Sequence, residues 1–104
     1  MTLTQLETFL RVAELGSLSE AAKIMGVSQP AATRHIKSCE RAFDAILFSR
    51  SPRGMGLTAT GKKLIPHAAQ IMSEIDRMRS LAQREARRGQ AVQMHVLPKP
   101  DGRK

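Results

Sequence analysis

The sequence predicts a mainly α chain, with three short helices, a two-stranded hairpin and one long final helix, on three observations. Helix-start signals and apolar residues at helical spacing flank Gly26, so two helices meet at a three-residue turn. A run of turn formers, Ser51-Pro-Arg-Gly-Met-Gly56, separates two short strand-like stretches. Beyond it, Leu64, Ala68, Ile71, Ile75, Met78 and Ala82 step by 4-3-4-3-4, the seam of a coiled coil.

Each element has its own local reason. Thr4-Gln-Leu-Glu7 fits a capping box with Thr4 as the N-cap, and Leu6, Phe9, Leu10 and Ala13 then make one apolar face up to Gly16. Ser17-Leu-Ser-Glu20 reads as a second capping box. It opens a helix whose apolar face is Leu18, Ala21, Ala22 and Met25, with two alanines small enough to let a neighbouring helix cross closely. Gly26 suits the left-handed cap that closes it. Ser28 starts the third helix, and Pro30 falls in its first turn, where the missing N–H costs nothing. Ala32, Ile36, Cys39 and Phe43 share one face of that helix, and Pro30, Arg34, Lys37 and Arg41 share the opposite one. Ile46 to Arg50 reads as a strand and Leu57-Thr58 as its return, with Arg53 at the tip between them.

The long helical pattern begins at Thr58 or Thr60 and ends at Arg88. It would be about 40 Å long, more than a small domain can cover, so a partner helix is its simplest cover. Pro66 is expected to bend it near its start. These boundaries divide the chain into 1–58, 59–88 for the linker and dimerisation helix, and a breaker-rich tail at 89–104 that is expected to be disordered. Gln90 to Leu97 alternates like a strand but has no partner in the sequence.

Composition narrows the chemistry. The 104 residues suffice for one small domain, and a net charge of +8 favours a polyanionic partner. The charge is uneven: residues 1–58 hold seven Lys/Arg against five Asp/Glu, and residues 59–104 hold ten against four. A single cysteine, Cys39, cannot form an internal disulfide, which fits a reducing, cytoplasmic setting. No apolar run approaches the ~20 residues of a membrane span, and no signal-peptide layout opens the chain. With no Trp or Tyr, stacking on single-stranded bases is disfavoured. His35, His67, His95 and Cys39 show no metal-ligand spacing. Phosphate loops, paired carboxylates and nucleophile elbows are absent, so no enzyme chemistry and no cofactor is expected. Met25, Met55, Met72, Met78 and Met94, spread over several elements, read as packing residues.

A short helix set steeply against a second, basic-faced helix is a device for placing that second helix in the DNA major groove. The hairpin after it would be a wing. The segments Gln5-Leu-Glu-Thr-Phe9, Gly16-Ser-Leu-Ser-Glu-Ala-Ala22, Val27-Ser-Gln-Pro-Ala31, Ser38-Cys-Glu40, Leu47-Phe-Ser-Arg50 and Leu57-Thr-Ala-Thr-Gly61 resemble the N-terminal DNA-binding domain of LysR-type transcriptional regulators. The resemblance spans residues 2 to about 88. It implies a winged helix-turn-helix whose third helix enters the major groove, whose wing touches the minor groove, and whose linker helix pairs two subunits antiparallel. Cys39 departs from the family, which usually has Leu there. The family also continues into a large effector domain. The chain is therefore expected to be truncated after about residue 96, with Val92-Gln-Met-His-Val96 similar to that domain's first strand, and no effector site is carried over.

Carried onto this sequence, the resemblance puts Gln29, Pro30, Thr33 and Arg34 at bases or nearby backbone, Arg53 in the wing, and Ser17 and Ser19 at phosphates near a helix N-terminus. The residues themselves allow two readings each. Arg34 offers a planar fork for guanine or is a solvated Arg; Gln29 pairs with adenine or caps its helix; Thr33 meets a thymine methyl or a phosphate, or is merely exposed. Ser28 caps the third helix and lies at the same approach. Lys37 reads as a phosphate contact or a plain surface charge, as does Arg41. Arg53 inserts into a narrow minor groove or is a loop charge. Arg50 contacts the DNA backbone or pairs with Asp44 or Glu40. His35 reaches phosphate or is an ordinary surface histidine. The Arg84 to Arg88 cluster reads as a solvated helix end.

The expected function is sequence-specific binding of double-stranded DNA by a homodimer that regulates transcription, with helix 28–43 in the major groove and Arg53 in the minor groove. Dimerisation is assigned to Leu64, Ala68, Ile71, Ile75, Met78 and Ala82. Two alternatives share the layout: a winged helix of the molybdate-regulator type, and an interaction protein that pairs with full-length regulators as a decoy or dominant negative.

Overall fold

Helix α1 (Leu3–Leu15) starts two residues earlier than the expected Thr4 cap implies. Thr2 is extended and caps it: its hydroxyl accepts the Gln5 N–H at 3.1 Å, and its own N–H donates to Gln5 Oε1 at 2.9 Å. Thr4 and Glu7, the expected pair, lie inside the helix. There the Thr4 carbonyl accepts the Thr8 hydroxyl and Glu7 faces Arg11 at 3.3 Å. The computed structural model describes residues 1–92. Gly16 closes α1 in the left-handed conformation, φ 65°, its N–H returning to the Val12 carbonyl at 2.8 Å.

Helix α2 (Leu18–Met25) is capped by Ser17, whose hydroxyl accepts the Glu20 N–H at 3.1 Å. Only this arm of the expected box forms, because the Glu20 carboxylate turns to Lys23 instead. Gly26 ends α2 with φ 70°, and Ser28 opens α3 (Gln29–Phe43) by accepting the Ala31 N–H at 3.1 Å.

The core joins Leu6, Phe9 and Val12 of α1, Leu18, Ala21 and Ala22 of α2, and Ala32, Ile36 and Cys39 of α3. Phe9 meets Phe48 edge to face, ring centroids 5.6 Å apart. Polar ties set the α1–α3 pairing. Ser38 Oγ donates to Gln5 Oε1 at 2.8 Å, the Cys39 thiol points at the Gln5 carbonyl, and buried Thr8 meets His35 Nδ1 at 2.8 Å. Gln5 against Ser38 and Thr8 against His35 make the two helices antiparallel. Phe43, expected on the buried face, therefore projects past Thr2, where α1 has not begun, and is 41% exposed.

Strands β1 (Phe48–Ser51) and β2 (Gly54–Leu57) pair antiparallel, Phe48 opposite Leu57 and Ser51 opposite Gly54, around a tight Pro52-Arg53 turn. Pro52 and Gly54 hold the turn positions they favour, Gly54 at φ 115°. β1 starts two residues later than the strand expected over Ile46 to Arg50. Ile46 and Leu47 are bonded elsewhere: the Ile46 carbonyl accepts the Thr58 hydroxyl at 2.7 Å, and the Leu47 carbonyl accepts the Thr58 N–H at 3.0 Å.

Thr58 also caps helix α4 (Ala59–Val92), accepting the Gly61 N–H at 3.0 Å. The helix continues through Pro66, and through Gly89, past the end at Arg88 that the sequence suggests. Val92 is thus helical, and the rest of the expected strand to Leu97 and the tail after it lie outside the described residues. Contacts group Met1–Met72 as one compact unit and the chain from Ser73 as another. In the first unit Ala68 is buried in the core and Leu64 and Ile65 pack against it, while Ile71 is 44% exposed. The start of the expected seam therefore covers the unit's own core. In the second unit Ile75 is half-buried, and Met78, Leu81 and Ala82 are exposed.

Candidate nucleic-acid interface

The outward side of α3 is bare. Ser28, Gln29, Pro30, Arg34 and Lys37 are exposed there, and Thr33 is half-buried. The face exists because the other side of the helix is fixed: Ala32, Ile36 and Cys39 are in the core, and His35 and Ser38 are bonded to α1. His35, left open between phosphate contact and surface residue, is a half-buried tie between α1 and α3.

The wing stands beside this face. An open cleft of about 460 Å³ brings together Ser17 and Ser19 at the start of α2, Gln29 at the start of α3, and Arg50 and Arg53 of the wing. Ser17 and Ser19 share a hydroxyl contact at 3.1 Å. A smaller cleft of about 160 Å³ holds Thr33 and Lys37 of α3 with Arg50, over a floor that includes Ile36, Phe48 and Met55. Arg50 lines both. Phe48 and Arg50 are two residues apart in β1 and so share one face of the ribbon, the face toward α3. The Met55 N–H reaches the Gly16 carbonyl at 3.4 Å and ties β2 to the turn before α2. Seven of the ten sequence-predicted contact residues thus line two adjoining clefts, and Ser28, Pro30 and Arg34 stand exposed on α3 beside them.

Charge is left unpaired here. Ion pairs among the described residues link Arg11 with Glu7 and Glu14, Lys23 with Glu20, and three neighbouring pairs along α4. None involves Arg34, Lys37, Arg50 or Arg53, so these four cations have no carboxylate partner, although Glu40 lines the smaller cleft with Lys37 and Arg50. The pairing of Arg50 with Glu40 or Asp44, left open by the sequence, is not formed. The Glu40 carboxylate instead accepts the Leu47 N–H at 2.8 Å and, more weakly, the Phe48 N–H at 3.5 Å.

Thr8 and Gln5 were given no role by the sequence reading, and Glu40 was weighed only as an ion-pair partner of Arg50. Glu40 had one signal: a carboxylate in the last turn of α3 opposes the helix dipole, so it needs a donor from elsewhere. Among the described residues no group of His, Cys, Asp and Glu is placed to hold a metal ion, and no helix is long and apolar enough to cross a membrane.

Residues 3–62 match the family profile of bacterial regulatory helix-turn-helix proteins of the lysR family. The HTH-type transcriptional regulator TfdT of Cupriavidus pinatubonensis is 43% identical over 92 residues, covering 88% of this chain and 37% of that protein. The solved complex of the CbnR DNA-binding domain with DNA superposes with a TM-score of 0.75 at 36% identity, over 83% of this chain and 99% of that one. The BenM DNA-binding domain in complex with catB site 1 DNA gives a TM-score of 0.77 at 30% identity, over 83% and 97%. The chain spans about a third of TfdT and 32% of ClcR of Pseudomonas putida.

Proposed function

The chain belongs to the lysR family of bacterial regulatory helix-turn-helix proteins, and on that premise we propose that it is a regulator domain that binds duplex DNA as a homodimer, in the cytoplasm and without a cofactor. α3 reads base edges in the major groove through Gln29, Thr33 and Arg34. Ser17, Ser19, Ser28, Pro30, Lys37 and Arg50 meet backbone or fix the approach, and Arg53 enters the minor groove. The observation that carries this is the bare α3 face and the wing lining adjoining clefts, with four unpaired cations between them. That arrangement meets a strip of phosphates with base edges beside it. The likeness to two DNA-binding domains solved on DNA supports duplex DNA as the partner. The division into a reading domain at 1–58 and a linker helix from 59, which runs on to Val92, belongs to this proposal.

Selection of bound duplexes from a random pool at near-physiological salt tests it. An inverted-repeat motif is expected, and Arg34→Ala should relax one position of each half-site and weaken binding by ~1–3 kcal/mol. Binding with no motif that vanishes as salt rises would overturn the reading. The exposed Met78 and Leu81 favour one second reading, in which α4 pairs with longer relatives and the chain acts as a decoy. Co-purification with a longer relative in place of self-association would mark that case.

A further inference from the structure

We propose that Glu40 is a positioning residue that holds the wing in register with α3, so that Arg50 and Arg53 read DNA only together with the recognition helix. This rests on the DNA-binding reading above. The carboxylate reaches out of the last turn of α3 and takes the Leu47 N–H at 2.8 Å and the Phe48 N–H at 3.5 Å. Its main-chain carbonyl takes the Ala45 N–H at 3.0 Å. One residue therefore ties both ends of the connection between α3 and β1. The geometry downstream is rigid. Leu47 is fully buried, its carbonyl is held by the Thr58 N–H, and the Phe48 ring is set against Phe9. Two residues on, Arg50 leaves that anchored strand on the face toward α3.

Glu40 also settles the charge of the smaller cleft, which it lines with Lys37 and Arg50. It makes no ion pair with either, because its acceptor oxygen is turned to main-chain donors. Charge-assisted bonds to N–H groups are about twice as strong as neutral ones, so the carboxylate has a partner that does not compete with phosphate. The two cations stay free for DNA although a carboxylate lies in the same cleft.

The test is a double-mutant cycle of Glu40→Ala with Arg53→Ala on a selected duplex, beside amide exchange of the free protein. In the unchanged protein Arg53→Ala should weaken binding about tenfold, and in the Glu40→Ala background less than about twofold. Discrimination at the position read by Arg34 should survive in both. Without DNA, Glu40→Ala should speed exchange at Leu47 and Phe48 and through the wing, and leave Leu6 to Val12 unchanged. Glu40→Gln keeps an acceptor but not the charge. It should fall between the two in both readouts, and it serves alone if Glu40→Ala does not fold. Additive effects of Glu40 and Arg53, or wild-type exchange at Leu47 in the Gln variant, would overturn the proposal. If the unchanged protein shows no sequence preference, the DNA-binding reading fails, and the exchange data still decide the Glu40 link.

Discussion

Two residues, one inside α3 and one at its cap, show how local chemistry sets stability. Cys39 fills a fully buried position, and burial pushes its thiol from the ordinary 9.0 up to about 11, with the N-terminal charge lowering it and Glu40 raising it. Between those values the unfolded chain has lost the proton and the folded one has kept it. The unfolded state therefore binds fewer protons, and stability falls as pH rises from about 9 to about 11. Denaturant melts across that range should show the decline for the native protein and not for Cys39→Ala. Alkylation at pH 8 should be as slow as unfolding, because the thiol is both enclosed and protonated. Asp44 is the opposite case, an exposed residue in a strained place. It caps α3 at φ 50°, where a side chain is disfavoured, and puts a carboxylate beside the negative end of the helix dipole. Asp44→Gly should stabilise by about 1 kcal/mol, a rise of roughly 4–8 °C in Tm by calorimetry.

At the scale of elements, the joint between wing and α4 is closely packed. Gly61 is buried in the first turn of α4, and a Cβ there would meet the Leu47 carbonyl and the Leu57 side chain. The obstacle is backbone, held by Thr58 and Glu40, so it cannot yield. Gly61→Ala should cost about 1–3 kcal/mol in urea unfolding, and loosen the wing while the three-helix core keeps its helical signal. The same joint marks where legibility in the sequence ends. Ser17, Gly26 and Ser28 were readable because each acts within three or four residues of itself. The wing's turn was read only as the broad stretch 51–56 with a return at Leu57-Thr58, whereas Gly54–Leu57 form β2 and Thr58 caps α4. The bare face of α3 was readable because its spacing is local too, and it makes up most of the proposed contact surface. The start of β1, the exposure of Phe43 and the role of Glu40 were not. Each is decided by a partner on another element: Thr58 draws off Ile46 and Leu47, α1 begins too late to cover Phe43, and the donors for Glu40 lie seven and eight residues away. The Thr2 cap escaped for a smaller reason. Thr2 with Gln5 and Thr4 with Glu7 both satisfy the capping pattern, and only the helix start separates them.

For the molecule as a whole, the question is what covers α4 in solution. Leu64 and Ala68 serve the first unit's core, so a dimer must use what remains: Ile71, Ile75, Met78 and Ala82, with Leu81 beside them. Of these Met78 is 68% exposed and has no role in the first unit, which makes it the cleanest probe. Met78→Glu should place two carboxylates in a helix–helix seam and convert a dimer to a monomer by light scattering, with no change in the melting of the three-helix core. DNA binding should respond in a way that separates dimer loss from misfolding. A dimer that neutralises ~8–10 phosphates gives a slope of about −7 to −9 in log K against log salt, and a monomer about half of that. Losing the second half-site should also remove the avidity, a drop of about a hundredfold or more, while single half-site preference persists. If Met78→Glu leaves mass and salt slope unchanged, α4 is not the dimer seam. If the mass halves and the slope does not, the second subunit contributes no phosphate contacts, and the inverted-repeat expectation fails with it.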